Sequence, residues 1–157
     1  MTEDKLALAS IGQGDVTETP LQNVMIASAI ANGGKLMHPT LVDRVRANDL
    51  SVLSETKSSV MSTAFSSDTA SKLTTMMESV VTKDSPSLAP SGVSVAAKTG
   101  TAQIGVANNA IDGWVMGFAP ADDPKIAVAV VVHNTTGYGV DAAGPIFRSM
   151  IQEAMQQ

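Results

Sequence analysis

The sequence has no cysteine, few aromatic residues and few charges, and these scarcities exclude several classes of protein. Without cysteine the 157-residue chain can hold no disulfide scaffold, no thiolate zinc site and no cysteine nucleophile. The formal net charge is −5, and no run of lysine and arginine occurs. A nucleic-acid-binding protein needs a concentrated basic face, so we expect no nucleic-acid partner.

Long apolar runs are also absent, since no stretch approaches the roughly 20 residues that span a bilayer. Residues 1–5 are polar and lack the apolar centre of a signal peptide, so a targeting segment would have to lie outside this sequence. Apolar residues nevertheless make up 44% of the chain, enough for the core of one domain. The apolar residues 6–11 have no preceding element to pack on, which suggests that the chain is cut from a larger domain.

Local signals predict three helices. Residues 19–20, a threonine followed by a proline, are typical of a helix start, and the Asn-Gly-Gly sequence at 32–34 is typical of its end. A second helix is expected at residues 68–82, capped by Ser67, with leucine, methionine and valine on one face. A third is expected to start at the Gly-Pro pair at 144–145.

The last third of the chain predicts three strands, at residues 93–103, 113–119 and 126–133. The tight turn at 121–124 makes the second and third strands antiparallel. The third strand is apolar on both faces, so we expect it in the centre of the sheet. Trp114 alternates with Met116 and Phe118 in a manner typical of a core-facing strand, and His133 at the end of the third strand is interpreted as structural or incidental.

The remaining segments predict peripheral structure. Residues 41–45 and 52–53 are expected to form a peripheral hairpin, and residues 85–92 and 105–112 are expected to be loops. His38 precedes a proline and is interpreted as a surface residue. The fold class predicted from these elements is mixed α/β, with an antiparallel β-sheet covered by helices.

The motif that indicates a function is the segment Lys98, Thr99, Gly100 and Thr101. It lies near the C-terminal end of a predicted apolar strand. The lysine places a cation at the sheet edge, and the first threonine adds a hydroxyl. The glycine lets a ligand lie against the backbone. Exposed N–H groups beyond it can pair with an extended ligand or point at an oxyanion. These features suit acyl transfer on a peptide that ends in a carboxylate, although the triplet alone is equally consistent with an exposed edge strand without function.

With its surroundings, the motif resembles the C-terminal half of the transpeptidase domain of class B penicillin-binding proteins. Lys-Thr-Gly is a signature triplet of penicillin-binding proteins and serine β-lactamases. One departure is Ala97, where the family often has glycine. The similar segments are Ser-Ile-Gly-Gln-Gly at 10–14, Thr-Pro-Leu-Gln at 19–22, Ala-Asn-Gly-Gly at 31–34, Lys-Thr-Gly-Thr-Ala-Gln at 98–103, Trp-Val-Met-Gly-Phe-Ala-Pro at 114–120, Ile-Ala-Val-Ala-Val-Val-Val at 126–132 and Ala-Ala-Gly-Pro-Ile-Phe at 142–147.

The resemblance implies a partial β-lactamase/transpeptidase-like fold and a serine-dependent acyl transfer on peptidoglycan stem peptides, which β-lactams intercept. Lys98 would be the catalytic residue of this half, supporting the electropositive field and the proton relay. Thr99 and Thr101 would hydrogen-bond the substrate carboxylate, and the Thr101 N–H would be one oxyanion donor. Gly100 would leave room for the substrate backbone. The resemblance implies no cofactor and no metal, and it places the parent protein at the extracytoplasmic face of the bacterial membrane.

Two signatures of the family are missing: Ser-x-Asn does not occur in the sequence, and Ser-x-x-Lys occurs once, in an unsuitable place. Ser54-Glu55-Thr56-Lys57 matches Ser-x-x-Lys, but it lies in a polar stretch with no apolar helical stripe after it. We reject Ser54 as the nucleophile and expect the isolated chain to be inactive, since a nucleophile needs an adjacent base. Missing upstream helices would leave an apolar sheet face exposed, so we expect that face to bind the upstream half of the domain or a second copy of the chain.

Other assignments stay open. A serine β-lactamase or a D,D-carboxypeptidase would share the triplet, although the segments at 19–22 and 31–34 favour a transpeptidase. A non-catalytic β-lactam sensor or binding module of the same fold is a second alternative. An unrelated α/β domain with a chance triplet is a third, and it would lack adjacent antiparallel strands at 98–103 and 113–119.

Overall fold

The computed structural model describes residues 2–14, 16–104 and 110–156, and it confirms the mixed α/β class with an antiparallel sheet covered by helices. The helices are α1 (Glu3–Ser10), α2 (Pro20–Ala31), α3 (Ser67–Ser79) and α4 (Gly139–Ala154). The strands are β1 (Lys35–Met37), β2 (Arg44–Arg46), β3 (Val52–Glu55), β4 (Val60–Thr63), β5 (Ala96–Ile104), β6 (Ala110–Ala119) and β7 (Ile126–Thr135).

The main sheet contains β5, β6 and β7 in that order, and both pairs are antiparallel. The expectation that residues 126–133 form the central strand is wrong for the described part of the chain, where β6 is central and β7 is an outer strand. The apolar pattern of β7 has another cause, because α2 packs against it on one side of the sheet and α4 on the other. Two covered faces therefore produced the pattern that we interpreted as a central position.

Side chains of the sheet alternate between two cores, one on each face. On the α4 face, Ala97 and Val115 pack with Phe147, and all three are fully buried. On the other face, Phe118 and the fully buried Ala96 pack with residues of α2 and α3. Large buried side chains of this kind each stabilise a domain by about 3–5 kcal/mol relative to alanine.

Ala97, the departure from the family pattern, is accommodated by the glycine opposite it. Ala97 is paired with Gly117 in the β5–β6 register. A Cβ atom on Gly117 would lie 2.3 Å from the carbonyl oxygen of Ala96 and 3.0 Å from the Cβ atom of Ala97. The sheet can thus carry alanine at position 97 because position 117 has no side chain.

Helix α2 begins where the sequence predicts. The Thr19 hydroxyl accepts a hydrogen bond from the Gln22 N–H at 3.2 Å, and the Gln22 side-chain oxygen accepts one from the Thr19 N–H at 2.8 Å. This reciprocal capping box satisfies two N–H groups that the helix itself cannot pair. Helix α3 is also confirmed, but Ser66 rather than Ser67 caps it, and a π-helical turn, Val80–Asp84, follows it.

The segment between α2 and α3 forms two small two-stranded sheets. Strands β2 and β3 make the predicted peripheral hairpin. Strand β1 pairs with β4, a pairing that the sequence did not indicate. All residues of β2, β3 and β4 are exposed, so this region contributes little to the core.

The predicted start of α4 and the two predicted loops each differ from the structure. Helix α4 begins at Gly139, so Pro145 lies inside the helix rather than opening it; Pro145 is exposed, and its missing N–H removes one backbone hydrogen bond only. The expected loop at 85–92 contains a 3₁₀ turn, Pro86–Leu88, whose Leu88 is fully buried. Of the expected loop at 105–112, residues 105–109 lie outside the described residues, and the rest belongs to β6.

Among the helices of the described ranges, none combines the length and apolarity that crossing a bilayer requires.

Candidate functional site

A groove of about 460 Å³ runs along β5 and is closed on its other side by the segment that precedes α2. Strand β6 provides its floor and strand β5 one wall, whereas residues 11–14 and 16–18 provide the opposite wall. The lining residues are Ile11, Gly12, Gln13, Gly14, Val16, Thr17, Glu18, Asn23, Lys98, Thr99, Gly100, Thr101, Ala102, Gln103, Ile104, Asp112, Trp114 and Met116.

All four residues predicted for the site line this groove, on the outer strand of the sheet. Lys98 is exposed, and its ammonium group donates to the carbonyl oxygen of Thr99. Because β5 pairs only with β6 among the described residues, its other backbone edge faces the groove side. An extended ligand can therefore add to β5 as a further strand, beside a cation and two hydroxyl-bearing residues.

The floor of the groove is apolar and is formed by β6. Lys98 lies opposite Met116 in the register and Gly100 lies opposite Trp114, so these four residues share one face of the sheet. A Cβ atom on Gly100 would meet the Trp114 Cβ atom at 3.3 Å. Trp114 and Met116 are half-buried and line the groove, so our interpretation of both as core residues is wrong; only Phe118 of that alternating set is in the core.

Thr101 is fixed by two contacts from distant parts of the chain. The Gln13 side-chain amide donates to the Thr101 carbonyl oxygen at 3.1 Å, and the Gly139 N–H donates to the Thr101 hydroxyl oxygen at 2.9 Å. The hydroxyl accepts in the second bond, so its own proton remains available for donation. The sequence did not predict that Gln13 or Gly139 contacts Thr101, because nothing local indicates that they reach residue 101.

Gly139, the first residue of α4, lies against the reverse side of β5. A Cβ atom on Gly139 would lie 1.8 Å from the carbonyl oxygen of Gly100 and 3.0 Å from the Trp114 nitrogen. No other residue type has room for such an approach. Helix α4 consequently supports the backbone of the groove wall directly behind the Lys-Thr-Gly triplet.

Asp112 places a carboxylate at the other end of the groove, opposite Ala102. Its Oδ1 atom accepts from the Asn134 N–H at 3.1 Å and lies 2.7 Å from the His133 Nδ1 atom. The His133 side chain is 77% exposed and does not line the groove. Sequence reasoning missed Asp112, although a charged residue between apolar positions of a strand was a usable signal.

Ser54 lies on β3, and Lys57 follows that strand. Both are exposed, and neither lines the groove. No serine is present among the described residues that form the groove. The groove geometry therefore gives no support to Ser54 as a nucleophile.

Comparison with known proteins shows the family to which this chain belongs. Residues 3–152 match the model of the penicillin binding protein transpeptidase domain. Two curated relatives are the peptidoglycan D,D-transpeptidases PbpA of Mycolicibacterium smegmatis and Mycobacterium tuberculosis, with 39% and 41% identity over 97% and 96% of this chain. The chain spans 32% of the length of each, that is, about a third.

Solved structures give the same result. The crystal structure of PBPA from M. tuberculosis has a TM-score of 0.90 and 39% identity, covering 99% of this chain and 38% of that one. The imipenem acyl-enzyme complex of penicillin-binding protein A from M. tuberculosis has a TM-score of 0.88 and 38% identity, covering 99% of this chain and 35% of that one. Taken with the match over residues 3–152, these likenesses show that the chain belongs to the penicillin-binding protein transpeptidase domain family.

Proposed function

We propose that this chain is the C-terminal part of a serine D,D-transpeptidase domain, which cross-links peptidoglycan stem peptides by acyl transfer and is acylated by β-lactams. The observation that carries the proposal is the position of Lys98, Thr99, Gly100 and Thr101 on the outer strand of a groove. One relative, penicillin-binding protein A from M. tuberculosis, forms acyl-enzyme complexes with both imipenem and penicillin G. The parent protein would act at the extracytoplasmic face of the bacterial membrane.

In this proposal each groove residue has a distinct role. Lys98 supplies the positive field and takes part in proton transfer to and from the attacking hydroxyl. The hydroxyls of Thr99 and Thr101 bind the terminal carboxylate of the peptide, and the Thr101 N–H stabilises the oxyanion of the tetrahedral intermediate. Gly100 lets the peptide backbone approach the strand.

The nucleophilic serine and its base belong, in this proposal, to upstream polypeptide of the same domain. Helices lie on both faces of the main sheet, so exposed apolar side chains elsewhere suit that contact better than the sheet face does. They are Leu6 on α1, Ile11 directly after it and Leu21 at the start of α2, which are 61%, 72% and 54% exposed. Without the upstream half these side chains would favour association of two copies of the chain. The 157-residue chain alone is then expected to be inactive.

Covalent labelling with a fluorescent penicillin tests the proposal. The chain extended by the upstream reading frame of its own gene should be labelled, whereas the 157-residue chain should not. Ser54→Ala in the extended protein should leave labelling unchanged. Labelling of the short chain that disappears with Ser54→Ala would contradict the assignment of the nucleophile. An unlabelled extended protein that contains an intact serine–lysine helix would instead indicate a non-catalytic module.

Turnover separates the enzymes that share this fold. A transpeptidase holds the acyl group of a penicillin, so the label should persist on the extended protein after excess antibiotic is removed. Rapid loss of the label with release of hydrolysed antibiotic would favour a β-lactamase.

A further inference from the structure

A segment that the proposed function does not use lies on an exposed edge of the molecule. Residues 54–57, the Ser-x-x-Lys match that we reject as a nucleophile, belong to residues 52–63, which run from β3 to β4 without a helix or turn. All of these residues are exposed. Among the described residues β3 pairs only with β2, and β4 only with β1. The outer backbone edge of β3 is therefore open to a further strand.

The backbone at residues 55–57 is oriented for such pairing. The Thr56 N–H donates to the carbonyl oxygen of Asp43 at 2.8 Å, so it points towards the β2 side of the hairpin. Successive residues of an extended strand turn their N–H groups to opposite edges, so Glu55 and Lys57 present theirs outwards. A two-stranded ribbon is marginally stable by itself, and further strands stabilise it.

Residues 54–58 read symmetrically about Thr56, with two charges of opposite sign. Their order is serine, glutamate, threonine, lysine and serine. In an antiparallel pair of two copies with a two-fold axis at Thr56, each Glu55 lies opposite the Lys57 of the second copy. Opposite charges stabilise such cross-strand pairs, whereas registers centred on Glu55 or on Lys57 place like charges opposite each other. The segment is thus self-complementary, as the symmetric interface of a dimer requires.

The side chains of the segment are accessible for this contact. Glu55 contacts Arg44 through one carboxylate oxygen at 3.4 Å and is still 56% exposed, so it can accept a second cation. Lys57 is exposed. Val52 and Val60 flank the segment at four residues on either side of its centre, and they are 51% and 52% exposed. They add apolar surface to the contact.

We propose that residues 54–58 are a self-pairing edge strand, through which two copies of the chain associate with the strand order β2–β3–β3–β2. The second copy is the occupant of this edge because the charges of the segment complement one another across the two-fold axis. This contact is separate from association through the exposed apolar side chains of α1, and it does not depend on the proposed function.

Sedimentation equilibrium of the 157-residue chain measures the dissociation constant of the dimer. Glu55→Lys and Lys57→Glu each place like charges opposite each other, so each should raise the dissociation constant about tenfold. The double variant exchanges the two charges and should regain the original constant. A mixture of the two single variants should form heterodimers, because one chain then carries two cations in the segment and the other carries two anions.

Lys72→Glu is the matched control for Lys57→Glu. Lys72 is an exposed residue of α3 that pairs with Asp68 at 2.7 Å. The control changes the net charge by the same amount and should leave the dissociation constant unchanged. Because Glu55→Lys also loses the contact with Arg44, circular dichroism checks that this variant folds, and Lys57→Glu tests the pairing without that loss.

Amide hydrogen exchange followed by NMR locates the contact. The Glu55 and Lys57 amides should exchange more slowly as the protein concentration rises, because the second copy accepts their hydrogen bonds. The Thr56 amide should be protected at every concentration, since its partner is Asp43 of the same chain.

Four results would overturn the inference. They are a chain that stays monomeric at every concentration, a dissociation constant that charge reversal at 55 and 57 does not change, a double variant that does not recover, and protection of the Glu55 and Lys57 amides in the monomer. The second result would indicate association through α1, and the fourth would mean that another part of the polypeptide covers this edge. None of them involves penicillin, so they are separate from a failure of the labelling experiment.

Discussion

Two segments of this molecule carry a lysine beside hydroxyl residues, and only one of them lies in a place where the chemistry could occur. Residues 98–101 form part of a strand that lines a groove, whereas residues 54–57 lie at and beyond the end of β3 in an exposed hairpin. The amino-acid sequences of both segments match signature motifs of the same family. The difference lies in what surrounds the segments, which decides whether a lysine can meet a substrate.

The two segments differ in how many layers of helix and sheet pack around them. Strand β5 belongs to a three-stranded sheet that has helices on both faces, and its Ala96 and Ala97 are fully buried. Strand β3 pairs with β2 alone, and all four of its residues are exposed. A two-stranded ribbon is marginally stable without such packing, so it cannot hold catalytic groups in fixed positions.

Core truncation should give the largest contrast between the two regions. Phe118→Ala removes a fully buried ring of the neighbouring strand β6, which packs with Ala96 of β5, and should lower the free energy of unfolding by about 3–5 kcal/mol. Leu53→Ala removes a side chain of β3 that is 67% exposed and should change it by about 0.5 kcal/mol or less. Urea unfolding measures both. An equally large loss for Leu53→Ala would mean that the hairpin is packed against something.

Removal of each lysine in the extended protein should give the next largest contrast. Lys98→Ala should slow penicillin acylation by about 100-fold, a typical loss for a residue that assists proton transfer. Lys57→Ala should leave the acylation rate unchanged, because this residue does not line the groove. The acylation rates of both variants are measured by stopped-flow or gel-based labelling with a fluorescent penicillin. A slowed Lys57 variant with a normal Lys98 variant would reverse the assignment.

The smallest contrast concerns two serine–aspartate pairs, one in each region. The Ser94 hydroxyl, 28 residues away, holds the pKa of Asp122 below its ordinary value, and the Ser51 hydroxyl does the same for Asp49 in the hairpin turn. Ser94→Ala should therefore raise the pKa of Asp122 alone, and Ser51→Ala should raise that of Asp49 alone. Carboxyl chemical shifts followed by NMR against pH measure both changes.

These bonds also set the sign of a pH effect. A carboxyl group whose pKa is lowered by folding stabilises the native state above its ordinary pKa, and that contribution disappears as the pH falls through the lowered value. The partner of Asp122 is distant in sequence, so its shift should vanish on unfolding in urea. The shift of Asp49 should persist in part, since Ser51 is only two residues away. Equal behaviour of the two groups in urea would contradict this contrast.

Local signals were enough to predict much of the fold. The Thr-Pro pair and the reciprocal bonds between Thr19 and Gln22 explain why the start of α2 was predictable, because every participant lies within four residues. The three main strands were also recognisable, since their apolar runs have the length of strands and are bounded by turn residues. The Lys-Thr-Gly segment could be placed at a sheet edge for the same reason.

Features that depend on distant contacts could not be predicted. The β1–β4 pairing joins two strands of three and four residues, which are too short to show a pattern. The start of α4 depends on the approach of Gly139 to Gly100, and proline at 145 gave a stronger but misleading local signal. Gln13 reaches Thr101 across 88 positions, so no sequence window could contain both.

The contact between Gly139 and Gly100 also has a consequence for the order of events during synthesis. Residues 96–104 leave the ribosome well before residues 139–154, yet the reverse side of their strand is covered only when the later residues arrive. Until then the nascent strand has an apolar side exposed to solvent and to other chains. A translation stop between residues 104 and 139 would therefore release a polypeptide that contains the lysine–threonine–glycine triplet but is prone to aggregate.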